Sequence, residues 1–155
     1  MLIDTIVVAT DFSENARVAV KKAYDFALQF GAKLHVLHVQ DESNLRVAIK
    51  EGLLEERQTD EQLTKAIEEL TAERFAILLA GFDRSALVIE SVSKRGDSGK
   101  VIADYAREVN ASMVVIGRHG AGMTMEILTA VVGSVAESVI RRSPCPVLVV
   151  RSDHK

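Results

Sequence analysis

Ile6-Val7-Val8-Ala9 runs directly into Thr10-Asp11-Phe12-Ser13-Glu14, and apolar residues then return at Ala16, Ala19, Val20, Ala23, Ala27 and Phe30. The first run is short, continuous and rich in Val and Ile, as expected of a strand covered on both faces. The later spacing of three and four residues is the stripe of an amphipathic helix, and Gly31 stands where a helix-stopping residue is needed. A strand feeding a helix through a short turn is the opening half of a βαβ unit.

The same alternation continues along the chain. Further apolar runs lie at Leu34 to Val39, Ala86 to Val92, Met113-Val114-Val115-Ile116 and Val147-Leu148-Val149-Val150. Helical stripes separate them: Leu63, Ala66, Ile67 and Leu70; Val101, Ile102, Tyr105, Ala106 and Val109; and Val135, Ala136, Val139 and Ile140, stopped by Pro144. The order βαβαβαβαβ predicts an α/β fold, an open and mostly parallel sheet with helices on both faces in the Rossmann-like manner. Residues Asp41 to Arg57 read as a long surface connection with a short helix. Linkers, repeats and low-complexity segments are lacking, so residues 1–155 are expected to form a single domain, a length sufficient to bury a sizeable core.

Composition narrows the functional classes. Apolar residues at 48% and charged residues at 26% are ordinary for a folded soluble protein. Nineteen basic against 22 acidic residues leave a formal net charge of −3, with no basic arm or run, which argues against nucleic acid as a partner. The one cysteine, Cys145, has no second cysteine to pair with inside the chain, which suits a reducing compartment. The start of the chain lacks a basic segment ahead of its apolar run, and no apolar stretch approaches the roughly 18 residues of a membrane span. A cytoplasmic location, with no membrane association, is the expectation.

In an open parallel sheet, ligands bind beyond the carboxyl ends of the strands, where the strand order reverses. Two strand-end segments stand out. In Ala9-Thr10-Asp11-Phe12-Ser13-Glu14, Asp11 could accept a hydrogen bond from a ligand hydroxyl or amine. Asp11 or Ser13 could equally cap the helix that follows, and the two roles are compatible. After the fourth strand comes Gly117-Arg118-His119-Gly120-Ala121-Gly122, where glycines allow backbone amides to approach an anion closely. Gly133-Ser134, just ahead of the last helical stripe, would suit a phosphate at a helix start. Set against this is a flexible glycine loop and a glycine that merely lets a helix pack closely.

Other motifs do not hold together. Gly96-Asp97-Ser98-Gly99-Lys100 resembles a fragment of a P-loop, but Lys94 stands at the position of the motif's first glycine and Val101 where a hydroxyl must ligate magnesium. It reads as a turn and helix start. His35 and His38 lie three apart on a strand and point to opposite faces, a poor metal pair. Cys145, between Pro144 and Pro146, reads as a structural thiol. Asp11 as a phospho-acceptor would need a further acidic pair for magnesium, which is missing.

Taken together, these segments resemble the universal stress protein family. Val7-Val8-Ala9-Thr10-Asp11-Phe12-Ser13-Glu14-Asn15-Ala16 is similar to its first strand and turn, and Leu37-His38-Val39 to the end of its second strand. Val115-Ile116-Gly117-Arg118-His119-Gly120, Gly133-Ser134-Val135-Ala136-Glu137 and Ser143-Pro144-Cys145-Pro146-Val147-Leu148-Val149-Val150 are similar to its carboxy-terminal part. The resemblance implies a five-stranded parallel sheet of order 3-2-1-4-5. It implies an adenine-nucleotide-binding regulatory protein of the stress response, holding ATP or AMP with magnesium on the phosphates. Positions matching Ala9, Thr10, Asp11 and Val39 would surround the adenosine. Those matching Gly117, His119, Gly120, Gly133 and Ser134 would hold ribose and phosphates, and Ile116, Arg118 and Val135 flank them in the same nucleotide-binding site. Members without the glycine signature bind no ATP, so the alternative is a dimeric interaction module that acts through protein partners. Catalysis is not expected beyond weak ATP hydrolysis, because His119 is the one nearby candidate base.

One departure leaves the site open. The family spacing between the second glycine and the Gly-Ser pair is nine residues; here twelve, Ala121 to Val132, separate Gly120 from Gly133. The three-residue insertion is nearly one helical turn. Ile127, Leu128, Val131 and Val132 continue the face of Val135, Ala136, Val139 and Ile140, so a single helix from about Thr124 to Arg142 would consume the amides of Gly133 and Ser134. Otherwise the insertion bulges outward and the phosphate site survives. In the implied order, Val147-Leu148-Val149-Val150 is an apolar edge strand that invites pairing. A homodimer through that strand is expected, unless the segment from Asp41 to Arg57 covers its own edge.

Overall fold

The computed structural model describes residues 2–41, 49–52, 60–119 and 132–152. Its elements are β1 Thr5–Ala9, α1 Glu14–Phe30, β2 Lys33–Gln40, α2 Asp60–Leu79, β3 Ile89–Arg95, α3 Ser98–Glu108, β4 Met113–Gly117, α4 Ser134–Arg142 and β5 Val147–Val150. The strands form one five-stranded sheet of order β3-β2-β1-β4-β5, with every neighbouring pair parallel. The expected fold class and order are therefore those observed. Most of the connection from Asp41 to Arg57 lies outside the described residues, as do Gly120 and the greater part of the insertion.

Strand alternation divides the core into two layers. From β1, Ile6 and Val8 point to one face with Ala19, Val20 and Ala23 of α1 and Phe75 and Leu78 of α2. Val7 and Ala9 point to the other with Ile102, Tyr105 and Ala106 of α3 and Ala136 and Val139 of α4. Val7, Val8, Val114 and Val115 are fully buried, each worth about 1.5–3 kcal/mol relative to exposure. β1 and β4 are thus covered on both faces, which is why they read as continuous apolar runs.

The α1 boundaries follow local chemistry. Ser13 is the N-cap, its Oγ accepting from the Ala16 amide at 3.2 Å. Gly31 closes the helix at φ 66°, where a side chain would be strained. The third strand needs correction: the expected run Ala86 to Val92 becomes Ile89–Arg95. Val88 precedes the strand and is half-exposed, although its carbonyl still accepts from the Leu34 amide at 2.9 Å. Ser93, Lys94 and Arg95 join instead because β2 offers them backbone partners as far as Gln40. An edge strand needs only one apolar face, so polar residues are admitted.

The continuous helix from about Thr124 is also corrected. Residue 132 is not helical, Gly133 is an extended N-cap at φ −62° and ψ 156°, and α4 starts at Ser134. The Gly133 amide is taken by the Arg118 carbonyl at 2.8 Å, which ties the helix start to the end of β4. The Gly133 carbonyl accepts from Glu137, as an N-cap carbonyl should.

Candidate functional site

β1 and β4 are adjacent, and connections leave them towards opposite faces, α1 on one side and α4 on the other. Their carboxyl ends open into a cleft of about 860 Å³, within the range of small-molecule sites. Of the sequence-identified residues, Ala9, Thr10, Asp11, Val39, Ile116, Gly117, Arg118, His119, Gly133, Ser134 and Val135 all line this cleft. Gly120 lies outside the described residues.

The floor is rigid. The Thr10 amide extends the β1–β2 ladder by donating to Leu37 O at 2.9 Å. Buried His38 donates from Nδ1 to Thr10 O at 2.9 Å, so the ends of β1 and β2 are fastened twice. Thr10 Oγ1 accepts from the Phe12 amide at 3.0 Å, and Asp11 Oδ1 accepts from the Ser13 amide at 2.9 Å. The question between Asp11 and Ser13 is thereby divided. Ser13 caps α1, and the Asp11 carboxylate shapes the turn while lining the cleft. Phe12 bears the backbone cost of that turn, with φ at 63°; non-glycine residues there are uncommon.

Across the cleft, Gly117 follows the buried strand residue Ile116. A Cβ built on Gly117 would come within 3.4 Å of the Asn15 carbonyl oxygen, so the end of β4 passes close to the first turn of α1. The Arg118 amide donates to Val150 O at 2.9 Å, and His119 is buried. Beside Arg118 stands the start of α4. Its N-cap Gly133 has no side chain to satisfy the first-turn amides, and no side chain caps it. A helix start of this kind, aimed at a cleft, presents partial positive charge to an anion. Arg17 and Arg118 add cationic side chains to the lining, and Asp11, Asp41 and Asp97 add acidic ones. Ser98 donates from Oγ to Asp41 Oδ2 at 2.8 Å, which holds the far rim. Among the described residues no cluster of three or more His, Cys, Asp or Glu side chains could hold a metal ion.

Several cleft residues were not expected from the sequence. Phe12 packs against His38 at 4.7 Å and, edge to face, against Phe75 at 5.1 Å between ring centroids. Arg74 places its guanidinium over the Phe12 ring at 5.8 Å. Thr71, one helical turn before Phe75, lines the same wall. A signal did exist: Thr71 follows Ile67, and Arg74 follows Leu70, at the four-residue spacing of the apolar stripe. A polar residue on a buried stripe calls for a reason. His35 and His38 face opposite sides as expected, His35 meeting Tyr105 Oη at 2.8 Å on the α3 face. Among the described residues no helix is long and apolar enough to cross a membrane.

Comparison with known proteins agrees with this geometry. The sequence model of the universal stress protein family matches residues 3–151. A universal stress protein of Methanocaldococcus jannaschii is 29% identical over 150 residues, spanning 97% of this chain and 83% of that protein. The solved structure of a second universal stress protein from that archaeon superposes with a TM-score of 0.78 at 26% identity, covering 100% of both chains. The structure of the universal stress protein from Archaeoglobus fulgidus in complex with dAMP has a TM-score of 0.58 and 25% identity, over 96% of this chain and 98% of that one.

Proposed function

Because the chain belongs to the universal stress protein family, we propose that it is an adenine-nucleotide-binding regulatory protein that takes ATP or AMP into the cleft between β1 and β4. The observation that carries this reading is the α4 start. Gly133 caps the helix without a side chain and is tied through its amide to Arg118, so the start of α4 lines the same cleft as Gly117 and His119. The phosphates lie there, with Gly117 giving the room they need. Ala9, Thr10, Asp11 and Val39 surround the nucleoside, and Asp11 accepts from a ribose hydroxyl. The dAMP complex of the Archaeoglobus relative supports the same ligand class. Magnesium enters with the phosphates.

The protein acts by binding rather than turnover. His119 is the nearest candidate base and is itself buried. It works as a cytoplasmic homodimer joined through β5. The test is direct: denature the purified protein and identify the released nucleotide, then titrate ATP and AMP calorimetrically with magnesium. Co-purified adenine nucleotide, or binding at micromolar to low millimolar ligand, is expected. No released nucleotide and no heat at millimolar ligand would favour the dimer as an interaction module acting through protein partners.

A further inference from the structure

The wall of the cleft remote from α4 is built by α2. Thr71 lies on it with only 7% of its surface exposed, and its hydroxyl has no hydrogen-bond partner among the described residues. A buried hydroxyl without a partner is disfavoured unless something completes it. Thr and Ser inside helices commonly turn back to the carbonyl one turn earlier, yet Thr71 makes no such bond. Beside it on the same helix, Arg74 lies over the Phe12 ring and Phe75 meets that ring edge to face. The wall thus offers a flat aromatic and guanidinium surface with one unsatisfied hydroxyl.

We propose that Thr71 is a base-reading residue: its hydroxyl completes its hydrogen bonding against the polar edge of a bound purine. This rests on the nucleotide reading above. With the phosphates at α4, on the β4 side of β1, the base extends across the end of β1 towards β2, the strand that α2 covers through Phe75 and Leu78. A hydroxyl is both donor and acceptor, so it can serve a ring nitrogen or an exocyclic amine. Arg74 and Phe12 bound the space the ring enters.

The test uses Thr71→Val, which keeps the branched shape and removes the hydroxyl, and Thr71→Ser, which keeps the hydroxyl. AMP is titrated into wild type and both variants, and melting temperatures are taken without ligand. The expected result is a five- to tenfold loss of AMP affinity in Thr71→Val, about the worth of one hydrogen bond. The ligand-free melting temperature should stay unchanged or rise, and Thr71→Ser should bind AMP as wild type does. Thr71→Val binding AMP within twofold of wild type would overturn the proposal and leave the nucleotide site standing. So would a loss of affinity accompanied by a clear fall in melting temperature, which would mark Thr71 as structural. A wild type that binds neither AMP nor ATP would remove both readings together.

Discussion

The amide of Gly133 donates to the carbonyl of Arg118 at 2.8 Å. This one bond joins the residue after β4 to the N-cap of α4 and places the helix start on the cleft, despite the longer stretch between Gly120 and Gly133. On the proposed nucleotide reading, a three-residue deletion is therefore not required to create a phosphate site. Removing Thr129 to Val131 should weaken ATP binding or leave it unchanged. Calorimetry on the deletion variant would contradict this if affinity rose, because that is the outcome expected of a helix running through Gly133.

Gly117 is where bulk should matter most. A Cβ there already meets Asn15 O at 3.4 Å, so Gly117→Val must push the loop away from α1 or into the cleft. Overpacking of this kind costs about 1–3 kcal/mol. Nucleotide affinity should fall more than tenfold, and Gly117→Ala should lose less. Circular dichroism confirms that the fold persists; a folded Gly117→Val variant with wild-type affinity would place the phosphates elsewhere.

The position of α4 depends on a second glycine. A Cβ on Gly99, in the first turn of α3, would overlap the Ser138 side chain of α4. Gly99→Ala should therefore force the two helices apart, destabilising the protein by about 1–3 kcal/mol despite alanine's better helix propensity. Pairing it with Ser138→Gly should recover part of the loss. Urea denaturation of the two single variants and the double variant measures the coupling; simple additivity would mean that α3 and α4 do not meet there.

The outermost position of β5 in the sheet predicts assembly. Val147, Leu148 and Val149 are only partly buried, and β5 pairs on one side with β4. An apolar edge strand is completed most economically by its own copy, antiparallel about a two-fold axis. Sedimentation equilibrium should give twice the 16.9 kDa chain mass, and Val149→Lys should move the distribution towards monomer. A wild type that remains monomeric at micromolar concentration would refute the interface.

Alkaline pH should expose the α3 layer. Tyr105 shares a hydrogen bond with His35 Nδ1, and burial, then the charges of Glu90 and Glu108, hold its phenol above the usual value of 10.0. The folded chain therefore keeps this proton when the unfolded chain has lost it. The resulting stability is complete below the unfolded value and disappears as pH rises from there through the folded value. Denaturation midpoints followed from about pH 9 to pH 11, around the ordinary tyrosine range, should fall more steeply in wild type than in Tyr105→Phe. Equal slopes would exclude this contribution.

Short-range physics made much of this protein legible from its sequence alone. The apolar runs of β1 and β4, the stripes of the four helices, and the stops at Ser13 and Gly31 depend on neighbours a few residues away, and the ordered alternation of strand and helix follows from them. Along with those came the loops that line the cleft. Tertiary structure alone decided three further matters. β3 lies three residues later than its apolar run because β2 supplies backbone partners to polar residues, and backbone hydrogen bonding is indifferent to side-chain polarity. α4 starts at Ser134 although the apolar stripe continues upstream, because a carbonyl at the end of β4 captures the Gly133 amide. Thr71 and Arg74 belong to the cleft only because α2 packs across β2, a contact between residues too distant in sequence for any periodicity to encode.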